Sequence, residues 1–320
     1  MKDKKAVIFD IGRYRNADGP GIRTIIFFKG CPLRCKWCCN PFGLSKRKQL
    51  IVNPYKCTGC GACVDLCEQE CNSISMDTNR VVVDFTKCSL CGKCIIPCQV
   101  KARSISGDEY TAHQLYREAS KDRAFYRRGG GGVTLSGGEV LLQWEVASET
   151  LRLCRQDGLN CCIETSGFAP WEHLWAVAKY CNTVFIDLKH INSQKHEELT
   201  GVPNDIILDN MDRLCKELPK LGGRVIVRLP MVPGYNDDDD SVRKAAEFVA
   251  DLDRHPELNI LPYHNLGETK YEMIGQEYSL NDVESRKKMD PRLQELYALC
   301  KESAPNNRIS LGGDAIDQKG

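Results

Sequence analysis

Four cysteines crowd into nine positions of the stretch GCPLRCKWCCNP, as Cys31, Cys35, Cys38 and Cys39. The spacing Cys31-x3-Cys35-x2-Cys38 puts three soft thiolates on one short loop. Three thiolates on a four-iron cube leave one iron open, and an open metal position binds a substrate instead of only passing electrons. A closed zinc site that includes Cys39 is the competing reading, but two adjacent cysteines chelate a tetrahedral ion awkwardly. Cys39 therefore reads as a bystander.

A second constellation follows. The pattern Cys57-x2-Cys60-x2-Cys63-x3-Cys67 recurs 31 residues later as Cys88-x2-Cys91-x2-Cys94-x3-Cys98. Bacterial two-cluster ferredoxins use this spacing: three thiolates of one loop surround a [4Fe–4S] cube and the fourth cysteine crosses to the other cube. On that pattern Cys57, Cys60, Cys63 and Cys98 hold one cluster, and Cys88, Cys91, Cys94 and Cys67 hold the second. The proline that usually follows each fourth cysteine is replaced by Glu68 and Gln99. Two zinc sites are the alternative, but a repeated four-cysteine spacing favours clusters. Cys71 lies outside the spacing and reads as a non-ligand.

Composition sets the frame. The chain has 320 residues, a mean hydropathy of -0.38 and a formal net charge of +1. That balance gives no argument for a nucleic-acid or anionic-membrane partner. The first apolar run is broken by Asp10, so no signal-peptide core is present, and no apolar stretch nears the roughly 18 residues of a membrane span. A cytoplasmic protein is expected. Of nineteen cysteines, thirteen lie between Cys31 and Cys98, which favours metal or redox chemistry over disulfides.

The positioning elements follow from pattern. β-rich runs occur at TIIFF (24–28), VTLSG (133–137), NCCIET (160–165), TVFIDLK (183–189), RVIVRLP (224–230) and ELNILPYH (257–264), with amphipathic helical segments between them from VTLSG onward. Strands alternating with helices predict βαβ units and a parallel sheet. A doubly wound sheet and a full or partial βα barrel both satisfy that pattern, and either puts chemistry at the C-terminal strand ends. Residues 51–105 read as an insert into an α/β unit formed by 1–50 and 106–320. Cys154, Cys161, Cys162, Cys181, Cys215 and Cys300 read as core thiols, GGGG (129–132) as a flexible lead-in to a strand, and DDDD (237–240) as a helix cap.

CxxxCxxC with an aromatic before its last cysteine resembles the radical SAM superfamily. DGPGIRT (18–24) and GCPLRCKWC narrow the resemblance to the activating enzymes of glycyl radical enzymes. SGGEV (136–140) resembles that family's GGEP segment, with Val140 in place of proline. ETSG (164–167), FIDLKH (185–190), VRLPMVPGYND (227–237) and LPYHNLGETKY (261–271) match further segments in order. The resemblance implies a partial TIM-like (β/α)6 barrel carrying an inserted dicluster ferredoxin-like domain. It also implies three [4Fe–4S] clusters, with S-adenosylmethionine as cosubstrate.

The implied reaction is reductive cleavage of S-adenosylmethionine to a 5′-deoxyadenosyl radical, which takes a Cα hydrogen from a glycine of a partner glycyl radical enzyme. Gly137, Gly138 and Glu139 would receive the amino group of S-adenosylmethionine. Trp37 is a candidate adenine contact, with core packing as its alternative. Glu164, Ser166, Asp187, Lys189, Arg228 and His264 would lie around the cofactor. Asp18 and Arg23 would shape the partner groove or support the first strand. The implied partners are an arylacetate decarboxylase, a dehydratase, a C–N or C–S lyase, or a succinate synthase. A flavodoxin or ferredoxin-type protein would donate electrons, and the enzyme would act as a monomer. A dicluster electron carrier, or a radical enzyme acting on a small molecule, are the competing functions. The carrier leaves CxxxCxxC and SGGE unused; the small-molecule enzyme leaves DGPGIRT unused.

Overall fold

The computed structural model describes residues 4–127 and 129–312. Its strands are β1 (Lys5–Arg15), β2 (Arg23–Phe28), β3 (Gln49–Val52), β4 (Asn72–Ile74), β5 (Val81–Val83), β6 (Arg103–Ser106), β7 (Asp108–Thr111), β8 (Gly132–Gly137), β9 (Asn160–Thr165), β10 (Thr183–Asp187), β11 (Arg224–Met231), β12 (Glu257–Pro262) and β13 (Ile309–Leu311). All six expected strands are present, each within two residues of its expected limits.

The main sheet runs β13-β12-β11-β10-β9-β8-β2-β1-β7. Every neighbouring pair from β2 to β13 is parallel, while β1 pairs antiparallel with both β2 and β7. From β2 through β8 to β13 the order rises without reversal. The sheet therefore lacks the switch point at which a doubly wound sheet changes direction. The seventh parallel strand and the antiparallel edge are additions to the expected six.

Alternation along the strands separates two faces. Val133, Leu135, Cys161, Ile163, Val184, Ile186, Val225 and Val227 join the main core. That core is completed by the helices between strands. The helix Trp144–Gln156 buries Val146, Ala147, Thr150, Leu151 and Cys154, one face at helical spacing. The six scattered cysteines are all buried, as core thiols would be. The opposite face carries Thr134, Ser136, Cys162, Glu164, Phe185, Asp187, Ile226 and Arg228. There Cys162, Phe185 and Ile226 form a small apolar floor, and the polar residues gather toward the C-terminal strand ends. Asp238 caps the helix Asp239–Asp251 by accepting from the Ser241 N–H, the role expected of the aspartate run.

The cysteine-rich segment closes on a neck made by antiparallel pairing of β3 with β6, and β4 pairs with β5 inside it. Its backbone repeats with the same 31-residue offset as its cysteines. Positive φ recurs at Gly59 and Leu90, at Gly61 and Gly92, and at Glu70 and Lys101. The hydrogen bonds Glu70 N–H to Cys67 O and Lys101 N–H to Cys98 O correspond, at 2.9 and 3.0 Å. So do Asp84 N–H to Cys71 O and Asn53 N–H to Ala102 O, both 2.7 Å. Leu90 holds a left-handed conformation that costs an L-residue roughly 1–2 kcal/mol, so the shape of this loop overrides local preference. Among the described residues no helix is long and apolar enough to cross a membrane.

Arg23 is fully buried. Its guanidinium donates to Thr134 Oγ1 (2.6 Å), Pro20 O (2.9 Å), Val133 O (2.7 Å) and Asn160 Oδ1 (3.1 Å). It thus ties the starts of β2, β8 and β9 to the DGPG turn, the supporting role among its two alternatives. The glycine run differs from the flexible lead-in expected of it. A Cβ on Gly131 would lie 2.0 Å from Ile22 O, and one on Gly132 1.9 Å from Asn160 O. These glycines permit backbone contact, whereas Gly130, at φ +65°, faces open space. Gly132→Ala should therefore cost more than about 2 kcal/mol, whereas Gly130→Ala should cost only the conformational penalty of about 1 kcal/mol. Chemical denaturation of both variants checks this; equal losses would mean that close approach does not constrain the run.

Candidate active site

A row of charges crosses the C-terminal ends of β8 to β11. The Arg228 guanidinium donates through Nη1 to Glu164 Oε1 (2.6 Å) and through Nε to Asp187 Oδ1 (2.7 Å). Lys189 Nζ donates to Asp187 Oδ2 (2.8 Å), and the Ser136 hydroxyl donates to Glu164 Oε2. Register explains the row: Asp187 lies level with Arg228, and Phe185 with Glu164. Burial alone would raise Asp187, but Arg228 and Lys189 overrule it and hold the carboxyl at about 2. Burial pulls Lys189 and Arg228 down, yet their carboxylate partners keep both above their ordinary values. Asp18 faces the same row. Burial, then the negative charge of Glu164, pushes it up to about 6.

The three-cysteine loop leaves the end of β2 beside this row and is pinned by remote segments. Gly30 N–H donates to Gly43 O (2.7 Å), Cys31 N–H to Leu44 O (3.2 Å), Arg34 N–H to Thr200 O (2.6 Å) and Lys36 N–H to Leu199 O (3.0 Å). In return, Gly138 N–H donates to Phe28 O (2.8 Å) and Glu139 N–H to Gly30 O (2.7 Å). A Cβ on Gly138 would sit 2.3 Å from Gly30 O, so the second glycine of SGGE is what lets the two loops touch. Burial raises the thiols of Cys31, Cys35, Cys38 and Cys39 as free groups; for Cys35 the positive charge of Lys189 opposes it. A metal centre deprotonates such thiols outright.

Glu139 is fully buried, and both its oxygens are occupied. Oε1 accepts from Thr165 Oγ1 (2.7 Å) and Leu141 N–H (3.1 Å), while Oε2 accepts from the Ser166 hydroxyl and Ser166 N–H (2.9 Å). The side chain is a strut between the β8 and β9 loops, and Ser166 is its partner. By accepting from Leu141 N–H it also braces the turn in which Val140 replaces proline. Trp37 lies in a second apolar cluster with Leu199, Val232, Tyr263, Tyr271, Tyr278 and Leu280, its packing alternative. His264 is exposed at the rim beyond β12, outside the charge row.

Three further residues join the site, from segments whose motifs do not mark them individually in the sequence. Lys270 donates to Cys39 O and Asn40 Oδ1, both at 2.9 Å. Tyr271 faces the Cys38 thiol as a hydrogen-bond partner. Asn236 donates to Lys189 O (2.9 Å) and Pro230 O (2.6 Å) and accepts from Val232 N–H (2.7 Å), so the PGYND turn anchors the β10 loop. A lysine and tyrosine ending GETKY were the available signals.

In the insert, Cys67, Cys71, Cys88, Cys91 and Cys94 line one cavity. Backbone N–H groups reach two other thiols: Val81 to Cys57 Sγ (3.5 Å) and Ala102 to Cys98 Sγ (3.2 Å). Among the described residues no three His, Cys, Asp or Glu side chains are gathered around a point that would hold a single ion.

Comparison with known proteins adds a lineage. A profile described as the radical SAM superfamily matches residues 90–246. The chain is 42% identical to a choline trimethylamine-lyase activating enzyme of Oleidesulfovibrio alaskensis, over 88% of this chain and 90% of that protein. It is 39% identical to a trans-4-hydroxy-L-proline dehydratase activating enzyme of Clostridioides difficile, over 91% and 95%. It is 37% identical to a 4-hydroxyphenylacetate decarboxylase activating enzyme of Clostridium scatologenes, over 93% and 95%.

The Asp18 environment makes a pH prediction. Its folded value, about 6, lies above the ordinary carboxylate value of about 3.9. The native state therefore binds the proton more tightly, so stability falls progressively between about pH 4 and pH 6 and the full loss is present above that. Asp18→Asn should stabilise the apoprotein by about 1–2 kcal/mol at pH 8, with the gap shrinking toward pH 5. Urea midpoints across that range test it; a gap that ignores pH would refute the electrostatic account.

Proposed function

This chain belongs to the activating enzymes of glycyl radical enzymes, within the radical SAM superfamily, and we propose that Cys31, Cys35 and Cys38 hold its S-adenosylmethionine-binding [4Fe–4S] cluster. The donor set fits such a cluster: three thiols on one pinned loop, soft ligands for iron–sulfur chemistry. When bound and reduced, that cluster supplies the electron that splits S-adenosylmethionine into methionine and a 5′-deoxyadenosyl radical, which removes a Cα hydrogen from a glycine of the partner enzyme.

The chain's own residues orient and hold. The observation that carries the reading is the three-cysteine loop held by backbone hydrogen bonds against the SGGE turn, at the end of the charge row. Glu164, Asp187, Lys189 and Arg228 offer fixed donors and acceptors where a zwitterionic methionine and a ribose would lie, and their mutual pairing keeps them aligned before any ligand arrives. Gly137 and Gly138, whose backbone touches the cysteine loop, and Glu139 are the candidate acceptors for the methionine amino group. Glu139 and Ser166 act from behind, holding that backbone in position. Trp37, the candidate adenine contact, packs in the apolar cluster that Cys35 also touches, and His264 stands at the rim where the adenosine would extend.

The consecutive winding from β2 through β8 to β13 supports a partial barrel, whose open side would admit the glycine-bearing loop of the partner. The insert is read as a two-cluster ferredoxin-like domain spanning 51–105. Support comes from the matching 31-residue offset in cysteines, positive-φ positions and hydrogen bonds, and from the cavity that joins Cys67 to Cys88, Cys91 and Cys94. The enzyme would then carry three [4Fe–4S] clusters, take electrons from a flavodoxin or ferredoxin-type protein, and act as a cytoplasmic monomer. Its relatives activate lyases, dehydratases and decarboxylases alike, so the partner is a glycyl radical enzyme of any of these chemistries.

The test is anaerobic. Reconstituted, reduced enzyme given S-adenosylmethionine should release 5′-deoxyadenosine, and Cys31/Cys35/Cys38→Ala should abolish it. The same mixture should make a cognate partner cleavable by oxygen at its glycine. A triple variant that still releases 5′-deoxyadenosine would exclude these cysteines as the ligands.

A further inference from the structure

We propose that Cys71 is an interchangeable ligand of the accessory cluster held by Cys88, Cys91 and Cys94, able to replace Cys67 on its fourth iron. The proposal rests on the two-cluster reading of the insert.

Five cysteines line the cavity, one more than a cube needs. Cys71 is 6% exposed, and its sulfur lies 3.2 Å from Cys67 Sγ. Its thiol is also within hydrogen-bonding reach of Cys88, on the facing loop. It therefore sits between the ligand that crosses from the first loop and a ligand of the second.

The internal repeat shows that packing alone does not require a thiol there. Cys71 O accepts from Asp84 N–H as Ala102 O accepts from Asn53 N–H, both at 2.7 Å. Cys71 and Ala102 are thus equivalent positions, four residues after Cys67 and Cys98. Ala102 is 4% exposed, so a methyl group fills the equivalent space in the other half. The sulfur in the first half adds a soft donor aimed at a cavity of soft donors.

Exchange is balanced without any redox partner. The Cys71 thiol gives up its proton as its sulfur bonds to iron, the Cys67–iron bond breaks, and the released Cys67 thiolate takes up a proton. Iron oxidation states do not change, and with the two sulfurs 3.2 Å apart the exchange needs side-chain rotation within one turn.

The experiment counts iron and sulfide, backed by native mass spectrometry, after anaerobic reconstitution of the full chain in the Cys31/Cys35/Cys38→Ala background. That background should hold about eight irons in two cubes; clearly fewer would defeat the two-cluster reading itself. Given about eight, Cys67→Ala should keep about eight, with an altered electron paramagnetic resonance spectrum of the reduced protein. Cys71→Ala should also keep about eight. In Cys67→Ala/Cys71→Ala three thiolates remain and one iron is open, so mild oxidation should strip that iron from this variant alone, leaving about seven irons and a three-iron paramagnetic signal. A Cys67→Ala variant that loses the iron as readily as the double variant would overturn the proposal. So would a double variant whose cube resists oxidation like the parent's, because the replacement ligand would then not be Cys71.

Discussion

One guanidinium sets the geometry at the strand ends. Neighbouring strands lie about 4.8 Å apart, so from β11 the carboxylate on β9 is two strands away. Arg228 spans that distance with a planar fork that serves Glu164 and Asp187 at once; a lysine presents one compact charge and could not bridge them in this way. Burying charges costs several kcal/mol per ion unless partners and hydrogen bonds compensate. Here Ser136 and Lys189 complete the pairing. The row holds adjacent parallel strands in register on their polar face, while the opposite face is held by aliphatic packing.

The three-cysteine loop is organised on a different principle. Its contacts are mostly backbone to backbone, and its partners are Gly43, Leu44, Gly138, Glu139, Leu199 and Thr200. None of these is adjacent in sequence to the loop's cysteines. This loop has little regular structure of its own, and it borrows rigidity from several βα connections. The glycines of SGGE matter first as places where two backbones touch. Glu139, anchored behind them on Thr165 and Ser166, keeps that contact from loosening.

Strand positions were legible because period-two alternation and β-rich composition are local properties. The cysteine spacings were legible for the same reason. The unforeseen parts depend on contacts distant in sequence. The short strand β13 is recruited by the edge of β12, and β1 with β7 caps the other edge. Gly131 and Gly132 look like a linker in sequence, but pack against Ile22 and Asn160 in space. The partners of Glu139, namely Thr165, Ser166 and the Leu141 N–H, lie on the loops after β8 and β9 or at a strand end, where its position in SGGE gives no hint of them. Lys270 and Tyr271 meet the cysteine loop across more than 230 residues, a separation over which periodicity carries no information.

The same distant segment joins the two cysteine-rich regions. From one side, Gly267, Lys270 and Tyr271 cover Cys38, Cys39 and Asn40. From the other, Met273 O accepts from Val52 N–H (2.9 Å), Glu272 accepts from the Tyr55 hydroxyl (3.1 Å), and Gly275 lies against the Phe85 ring. Val52 belongs to the neck of the insert, Tyr55 precedes its first cysteine, and Phe85 precedes its second cysteine run. The helix Glu268–Glu272 and its flanks are thus a shared wall. An insert tied only by its neck would be free to pivot; tied also to this wall, it keeps a fixed relation to the three-cysteine loop. A wall that fixes the spacing between insert and loop thus adds to the stability of both.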